Sequence, residues 1–458
     1  MNPLDAVWLM MESKDTPMHI GVLAIFQKPR NAPENYLGQW AAQWRDCREW
    51  AAPWSYRLSD RRGVSITPRL IEEKSVELDY HFRHSALPTP GGERELGLMV
   101  SRLHSNALDR QRPLWEFHLI EGLEKGRFAF YLKMHHALIN DVNGISILLS
   151  ALSTSAKSRN MPPPWALTLP TANTDDATGA DNWSKLAEPA QAVASIGRAA
   201  SGLLRNALKR NKEGSFLIPL GTPRSTLNRH INTQRRFATQ QFEQQRIEQL
   251  AQATESTVNE ILAYLCGSSL RRFFKEYNAL PDEPLVAALP VSLHEHNERL
   301  PGNAIAGIRV ALGTHIGDPL ARLEAVKISM REVREDRASL PDEAVTSYVM
   351  LRAAPLYASQ MPAVGRFVPP LFNLSISNTP GPDSPRYFNG ARLESIYPLS
   401  PLMQFSALSI DCVSYSGTLN IGFTGARDTL PHLQRLAVYV GKAVEDLEEL
   451  LQTSEASP

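Results

Sequence analysis

From Arg127 onward, apolar and polar positions alternate: Phe128, Phe130, Leu132 and Met134 fall on one side, and Arg127, Ala129, Tyr131 and Lys133 on the other. A period of two predicts a strand with one face toward a core. Two histidines follow. After them Ile145, Leu148, Leu149 and Leu152 recur at helical spacing, with Asn140 or Asp141 placed to cap the helix. Elsewhere the same reading predicts a strand around Gly21 to Phe26, a helix through Tyr36 to Trp50 and a strand near Arg235 to Phe242. A helix starts at Thr257, with Val258, Leu262, Leu265 and Phe273 as its apolar stripe and Thr257 with Glu260 as a capping box. The run LVAALPVS from Leu285 reads as a buried strand. Asp318 and Pro319 mark the N-cap and first turn of a helix carrying Leu320, Leu323, Val326 and Met330. Leu408, Ile410 and Cys412 alternate, as do Leu419, Ile421 and Phe423, on either side of Ser416 and Gly417, which predicts a hairpin. A last amphipathic helix runs through Leu433 to Leu451.

A chain of 458 residues is too long for one ordinary core and predicts two domains. Between Thr154 and Asp181 the composition turns to Pro, Thr, Ala, Asn and Asp, with Pro162, Pro163 and Pro164 in succession, the mark of a linker. The expected division is residues 1–160, a linker and amphipathic crossover helix over 161–225, and a second domain over 226–458. In that helix Trp183, Leu186, Ala190, Val193 and Leu204 keep the apolar period, while Arg198, Arg205, Lys209, Arg210 and Lys212 crowd the C-terminal half. It reads as a crossover helix with cations near its negative dipole end, or as an attachment to an anionic membrane surface.

Lys+Arg and Asp+Glu are both 48, so the chain has no overall attraction for nucleic acid. Three cysteines, Cys47, Cys266 and Cys412, lie far apart and fit a reducing compartment. The first residues lack a signal-peptide pattern, and no run approaches the roughly 18 uninterrupted apolar residues of a membrane span. The expectation is a cytoplasmic protein, peripheral to the membrane's inner face if the basic helix binds it.

The chemistry points to His135 and His136, at a strand end before a helix, where rigid elements fix side chains and leave one face open. Adjacent residues there point in opposite directions, so His136 is assigned to a cavity and His135 to the scaffold. A neutral imidazole acts as a base at neutral pH. No metal is expected, because adjacent histidines share no helix face and no HExxH or Cys/His spacing accompanies them. GxGxxG, GxxxxGK[ST] and GxSxG patterns are also missing, which argues against nucleotide cofactors and a serine-hydrolase elbow.

Read together, RPLWEFHLIEGL from Arg112, the strand with its histidine pair, TVNEILAYLCGSSLRRF, PVSLHEHNERLPGNAI, NLSISNTPGP and RDTLPHLQR span almost the whole chain. It resembles the bacterial wax ester synthase/diacylglycerol acyltransferase family. The resemblance implies an α/β fold of two chloramphenicol-acetyltransferase-like domains, with mixed sheets flanked by helices and a tunnel at their interface. It implies acyl-CoA as cosubstrate with no other cofactor, and a long-chain alcohol or diacylglycerol as acceptor at a membrane or lipid-droplet surface. It places the base at His136, the second histidine of the family's HHxxxDG, with His135 the first. This chain departs from that motif in carrying Asn140 and Asp141 where the family has Asp-Gly. The family's Asn-Asp appears as Asn259 and Glu260, and its SNVPGP element places Ser377 and Asn378 near the tunnel. The alternative reading is a binding paralogue of acyl-CoA or lipid whose altered motif has lost catalysis. PLW, at Pro113 to Trp115, reads as scaffold, and from the residues alone Ser377 and Asn378 read rather as turn-forming residues before TPGP.

Overall fold

In the computed structural model, which describes residues 8–59, 69–139, 144–168, 222–290, 307–338, 356, 359–360 and 368–455, the strands assemble into two six-stranded mixed sheets. The N-terminal half supplies β1 (His19–Gln27), a small separate pair β2 (Tyr56–Leu58) and β3 (Leu70–Glu72), then β4 (Phe82–Ala86), β5 (Trp115–Leu123) and β6 (Arg127–His135). The C-terminal half supplies β7 (Arg235–Glu243), β8 (Val286–Pro290), β9 (Gly307–Ala311), β10 (Leu374–Thr379), β11 (Tyr387–Phe388), β12 (Ala391–Leu399), β13 (Leu408–Tyr415) and β14 (Thr418–Ala426). The first sheet has the order β11-β12-β1-β6-β5-β4 and the second β7-β14-β13-β10-β8-β9.

Alternation in β6 decides how the first sheet is packed. Phe128, Phe130, Leu132 and Met134 join a core with Trp40, Ala41 and Trp44 of helix α1 (Tyr36–Asp46). The opposite side, with Ala129 and Tyr131, packs on Leu96 and Val100 of helix α2 (Glu93–Ser105) and on Phe237, Tyr397 and Leu399. The second face is therefore where the two halves meet. Ser105 Oγ and Ser101 Oγ of α2 accept hydrogen bonds from the backbone N–H groups of Arg235 (2.8 Å) and Phe237 (2.9 Å). They satisfy donors that edge strand β7 would otherwise leave unpaired.

The helix α3 (Gly144–Ser150) lies against β1, and Gly144 makes this close approach: a Cβ there would stand 2.2 Å from Ile20 Cδ1. In the C-terminal half the helices α4 (Gln244–Ala253), α5 (Val258–Glu276), α6 (Pro319–Ala338) and α7 (Gln434–Glu455) bury their apolar stripes on the second sheet. The capping box at Thr257 is present: its N–H donates to Glu260 Oε2 at 2.7 Å, and the Glu260 N–H donates to its hydroxyl at 3.3 Å. Asp318 caps α6 by accepting from the Ala321 N–H at 2.7 Å.

Three expectations are corrected. The first helix stops at Asp46 instead of Trp50, because the chain turns extended at Cys47 and carries Trp50 onto the rings of Trp115 and Trp165. The stretch from Thr154 is no free linker at its start. Trp165 is fully buried in the first core, and its carbonyl accepts from the Ala51 N–H. The rest of that stretch, with the basic helix expected up to Lys212, lies outside the described residues. Finally, the C-terminal half is not self-contained. β12 leaves it to pair antiparallel with β1, Leu399 opposite Gly21 and Ile396 opposite Ala24, and completes the first sheet.

Where β12 passes β14, Gly422 provides the clearance: a Cβ there would meet the Pro398 carbonyl oxygen at 2.6 Å. Neither backbone can yield without parting the strands, so Gly422→Ala is expected to destabilise the fold by about 1–3 kcal/mol. The urea midpoint checks this. An unchanged midpoint would show that the crossing is slack.

Candidate active site

The backbone of the histidine pair is held on both sides. The His135 N–H donates to the Leu114 carbonyl at 2.9 Å and the His136 N–H to the Met18 carbonyl at 3.0 Å. Leu114 belongs to the Pro-Leu-Trp segment, whose Trp115 donates through Nε1 to the Trp54 carbonyl at 2.7 Å. That segment is scaffold, as its sequence indicated. His135 ends β6 and is fully buried, while His136 opens a 3-10 turn, His136–Leu138, and keeps part of its surface accessible.

His135 Nδ1 accepts from the Ala137 N–H at 3.1 Å, so this nitrogen carries no proton and the ring is held as the Nε2–H tautomer. Nε2 faces Glu12 Oε1 at 3.6 Å. Glu12 also accepts from the Met18 N–H at 3.2 Å and lies 3.7 Å from Arg110 Nε, with its side chain 8% exposed. Burial alone would raise its carboxyl. The contacts with His135, Met18 and Arg110 outweigh burial and hold it below its ordinary value. The Glu12 N–H bonds to the Trp8 carbonyl at 3.1 Å, so Trp8 and Glu12 stand one helical turn apart and share a face. Trp8 stacks on His136 with ring centroids 3.8 Å apart and planes 12° from parallel. One turn of helix thus fixes both imidazoles. Sequence reasoning missed Trp8 and Glu12, because they are far along the chain from the pair and belong to no motif read there.

Desolvation first, then the neighbouring His135 ring, pushes His136 down to about 3, with a backbone hydrogen bond opposing. This imidazole is unprotonated at neutral pH. The folded value is below the unfolded one, so the associated stability is present above about pH 6.5 and lost as the pH falls toward 3.

Beneath the pair lies a buried polar ladder. His19 stands opposite His135 in register, and its Nε2 bonds to the His104 carbonyl at 3.0 Å. His104 Nδ1 meets the Tyr131 hydroxyl at 2.9 Å. Lys133, fully buried, donates to the carbonyls of Leu103 (3.1 Å) and Asn106 (3.0 Å) and pairs with Glu116 at 3.0 Å. Burial opposes ionisation of Glu116, but His118 and Lys133 hold its carboxyl at about 2.

From the C-terminal half, Asn378 Nδ2 donates to Asn259 Oδ1 at 2.9 Å, which joins a residue expected near the tunnel to one of the second family motif. Ser377 Oγ donates to Asp411 Oδ1 at 2.7 Å, and the hydroxyls of Ser400 (2.8 Å) and Ser409 (3.0 Å) reach the same carboxylate. Burial raises Asp411, and these hydroxyls offset part of that. Register places this group at the histidine end of the interface: His135 faces His19 on β1, Gly21 faces Leu399 on β12, and Ser400 follows. Asp411 was not foreseen. Asn140 and Asp141 lie outside the described residues, and no group of three metal-ligating side chains occurs among the described ones.

Two α/β units sharing a strand, with a histidine pair at the end of a central strand, define the class of chloramphenicol-acetyltransferase-like proteins. The first condensation domain of the calcium-dependent antibiotic synthetase has this fold, with a TM-score of 0.54 at 16% identity over 98% of this chain and 95% of that one. The wax ester synthase/diacylglycerol acyltransferase of Marinobacter aquaeolei VT8 matches with a TM-score of 0.79 and 33% identity, covering 99% of both chains. A Mycobacterium tuberculosis protein named as a diacylglycerol O-acyltransferase is 38% identical over 480 residues, 98% of this chain and 96% of the relative. Residues 1–262 match the wax ester synthase/diacylglycerol acyltransferase catalytic domain and residues 301–448 the C-terminal domain of the same family. The chain belongs to the wax ester synthase/diacylglycerol acyltransferase family.

Proposed function

We propose that the protein moves a long-chain acyl group from acyl-CoA to the hydroxyl of a long-chain alcohol, giving a wax ester, or of diacylglycerol, giving triacylglycerol, with His136 as the base. The supporting observation is the unprotonated His136 imidazole, clamped between its backbone bond to Met18 and the Trp8 ring. A hydroxyl is a weak nucleophile and a thioester a reactive acyl donor, so one positioned base suffices. His136 takes the hydroxyl proton as the oxygen attacks the thioester carbon, the tetrahedral adduct collapses, and the departing CoA sulfur recovers that proton. A ring pushed down to about 3 is a weak acceptor in the resting site. It gains basicity as negative charge develops beside it in the transition state, where a fixed and partly dry environment is most effective. His135, held by Glu12, orients the turn, and Asn259 with Asn378 is placed to meet the substrates from the other unit. Both substrates reach the histidine between the two units. Acyl-CoA brings the activation itself, so the reaction needs no further cofactor.

The acceptors are lipids, which brings the enzyme to a membrane or lipid-droplet surface, with the basic stretch from Arg198 to Lys212 as the contact. No helix among the described residues is long and apolar enough to cross a membrane.

Thiol release from palmitoyl-CoA, with and without hexadecanol or dioleoylglycerol, tests the activity. Acceptor-dependent CoA is expected, and a binding paralogue would give none. Across pH the rate is expected to hold through 6.5, since His136 stays neutral there. An acid limb centred at 6.5 would mean that a solvated histidine is the base.

A further inference from the structure

In the second unit, α5, α6 and α7 line an open cleft of about 440 Å³, a size that admits a nucleotide or a lipid headgroup. Arg271, Arg272 and Lys275 of α5 and Arg322 of α6 line it, against two carboxylates, Asp446 and Glu276. Those acids are already engaged. Asp446 pairs with Arg272 at 2.9 Å, and Glu276 is taken up by Arg435 and the Tyr439 hydroxyl. Among the described residues, Arg271, Lys275 and Arg322 form no direct ion pair, although Asp318 and Asp446 lie near enough to Arg322 to attract it.

Arg322 is 6% exposed and donates to the carbonyls of Ile316 and Gly317 and to Ser268 Oγ, while Arg271 Nη1 bonds the carbonyls of Thr314 and His315. Two guanidiniums thus clasp one loop side by side. Burial first, and Arg271's like charge among the lesser causes, hold Arg322 below its ordinary value. Arg271 Nη2 is left over, and Lys275 has no hydrogen-bonding or ionic partner among the described residues. An anion between them would relieve the crowding and meet donors already in place.

We infer that this cleft binds a phosphate-monoester group, carried by a soluble ligand or by an anionic lipid. It is separate from the histidine site: Arg272 lies thirteen residues from Asn259 along α5, about 20 Å at the rise of an α-helix. The inference does not rest on the catalytic reading.

The test is calorimetric titration of the full-length protein with inorganic phosphate, with adenosine 3′,5′-bisphosphate, and with phosphatidylcholine vesicles with or without phosphatidic acid. Lys275→Glu is the main variant, since Lys275 is exposed and its exchange is expected to leave the melting temperature unchanged. Arg271→Gln, which removes the second uncommitted donor, is the companion. Binding of a soluble probe, weakened at least about tenfold by Lys275→Glu, supports the site and identifies a soluble ligand. The same sensitivity seen only with phosphatidic acid vesicles supports it and identifies a headgroup. Binding of none of the probes, or binding that Lys275→Glu leaves intact, overturns it.

Discussion

Replacing His136 with alanine is expected to cut acceptor-dependent CoA release by on the order of 10²–10⁴, the contribution of a positioned general base. The loss should fall in kcat, because the imidazole acts on the proton in flight and holds neither substrate in the ground state. The ring's removal leaves Trp8 without its stacking partner, but Trp8, Met11, Met18 and Met403 still pack on one another, so the thermal transition should move little. A variant that melts as wild type and keeps its rate would mean that the base is elsewhere. Glu12→Gln is a gentler probe of the same account. It keeps the side chain's shape and its bond from Met18 but removes the charge facing His135, so a smaller fall in kcat with KM unchanged is expected.

The largest stability effect is expected at Glu116. Lys133 is fully buried, and its three N–H donors are spent on the Leu103 and Asn106 carbonyls and on the Glu116 carboxylate, the only acid among them. Glu116→Ala leaves an ammonium in the core with neutral partners, which costs about 3–5 kcal/mol where buried pairs have been broken. Glu116→Gln keeps a hydrogen-bond acceptor and should cost less. Urea unfolding of both variants decides the matter, and equal midpoints for Ala and wild type would show that Lys133 reaches water or sheds its proton. Because the network lies directly behind β6, its loss should also reduce catalysis without touching a reacting atom.

The parts legible in the sequence are those that local periodicity or capping fixes. The strand before the histidines, the Thr257–Glu260 box, the Asp318 cap and the Ser416–Gly417 hairpin all depend on residues a few positions apart, and all are found where the pattern places them. What escaped depends on partners distant in the chain. β12 alternates like any strand of the C-terminal half, and nothing in ARLESIYPL says that β1 is its neighbour. Helix α4 has too short a stripe, Ile247, Leu250 and Ala251, to stand out among its polar residues. In the site, the motif disclosed His135 and His136, but not that Trp8 and Glu12 orient them. Asp411, the one acid in the largely apolar strand β13, gained its meaning only when Ser377 of β10, Ser400 just past β12 and Ser409 of its own strand met it.

The central claim is direct transfer: an unprotonated His136 delivers the acceptor oxygen to the thioester, and no acyl group rests on the protein. Rapid mixing of stoichiometric acyl-CoA with the enzyme, with and without hexadecanol, tests it most directly. CoA should appear only when the alcohol is present, in step with the ester, and denatured protein should carry no acyl label. A burst of CoA equal to the enzyme before any alcohol is added, with label retained on the chain, would contradict the account.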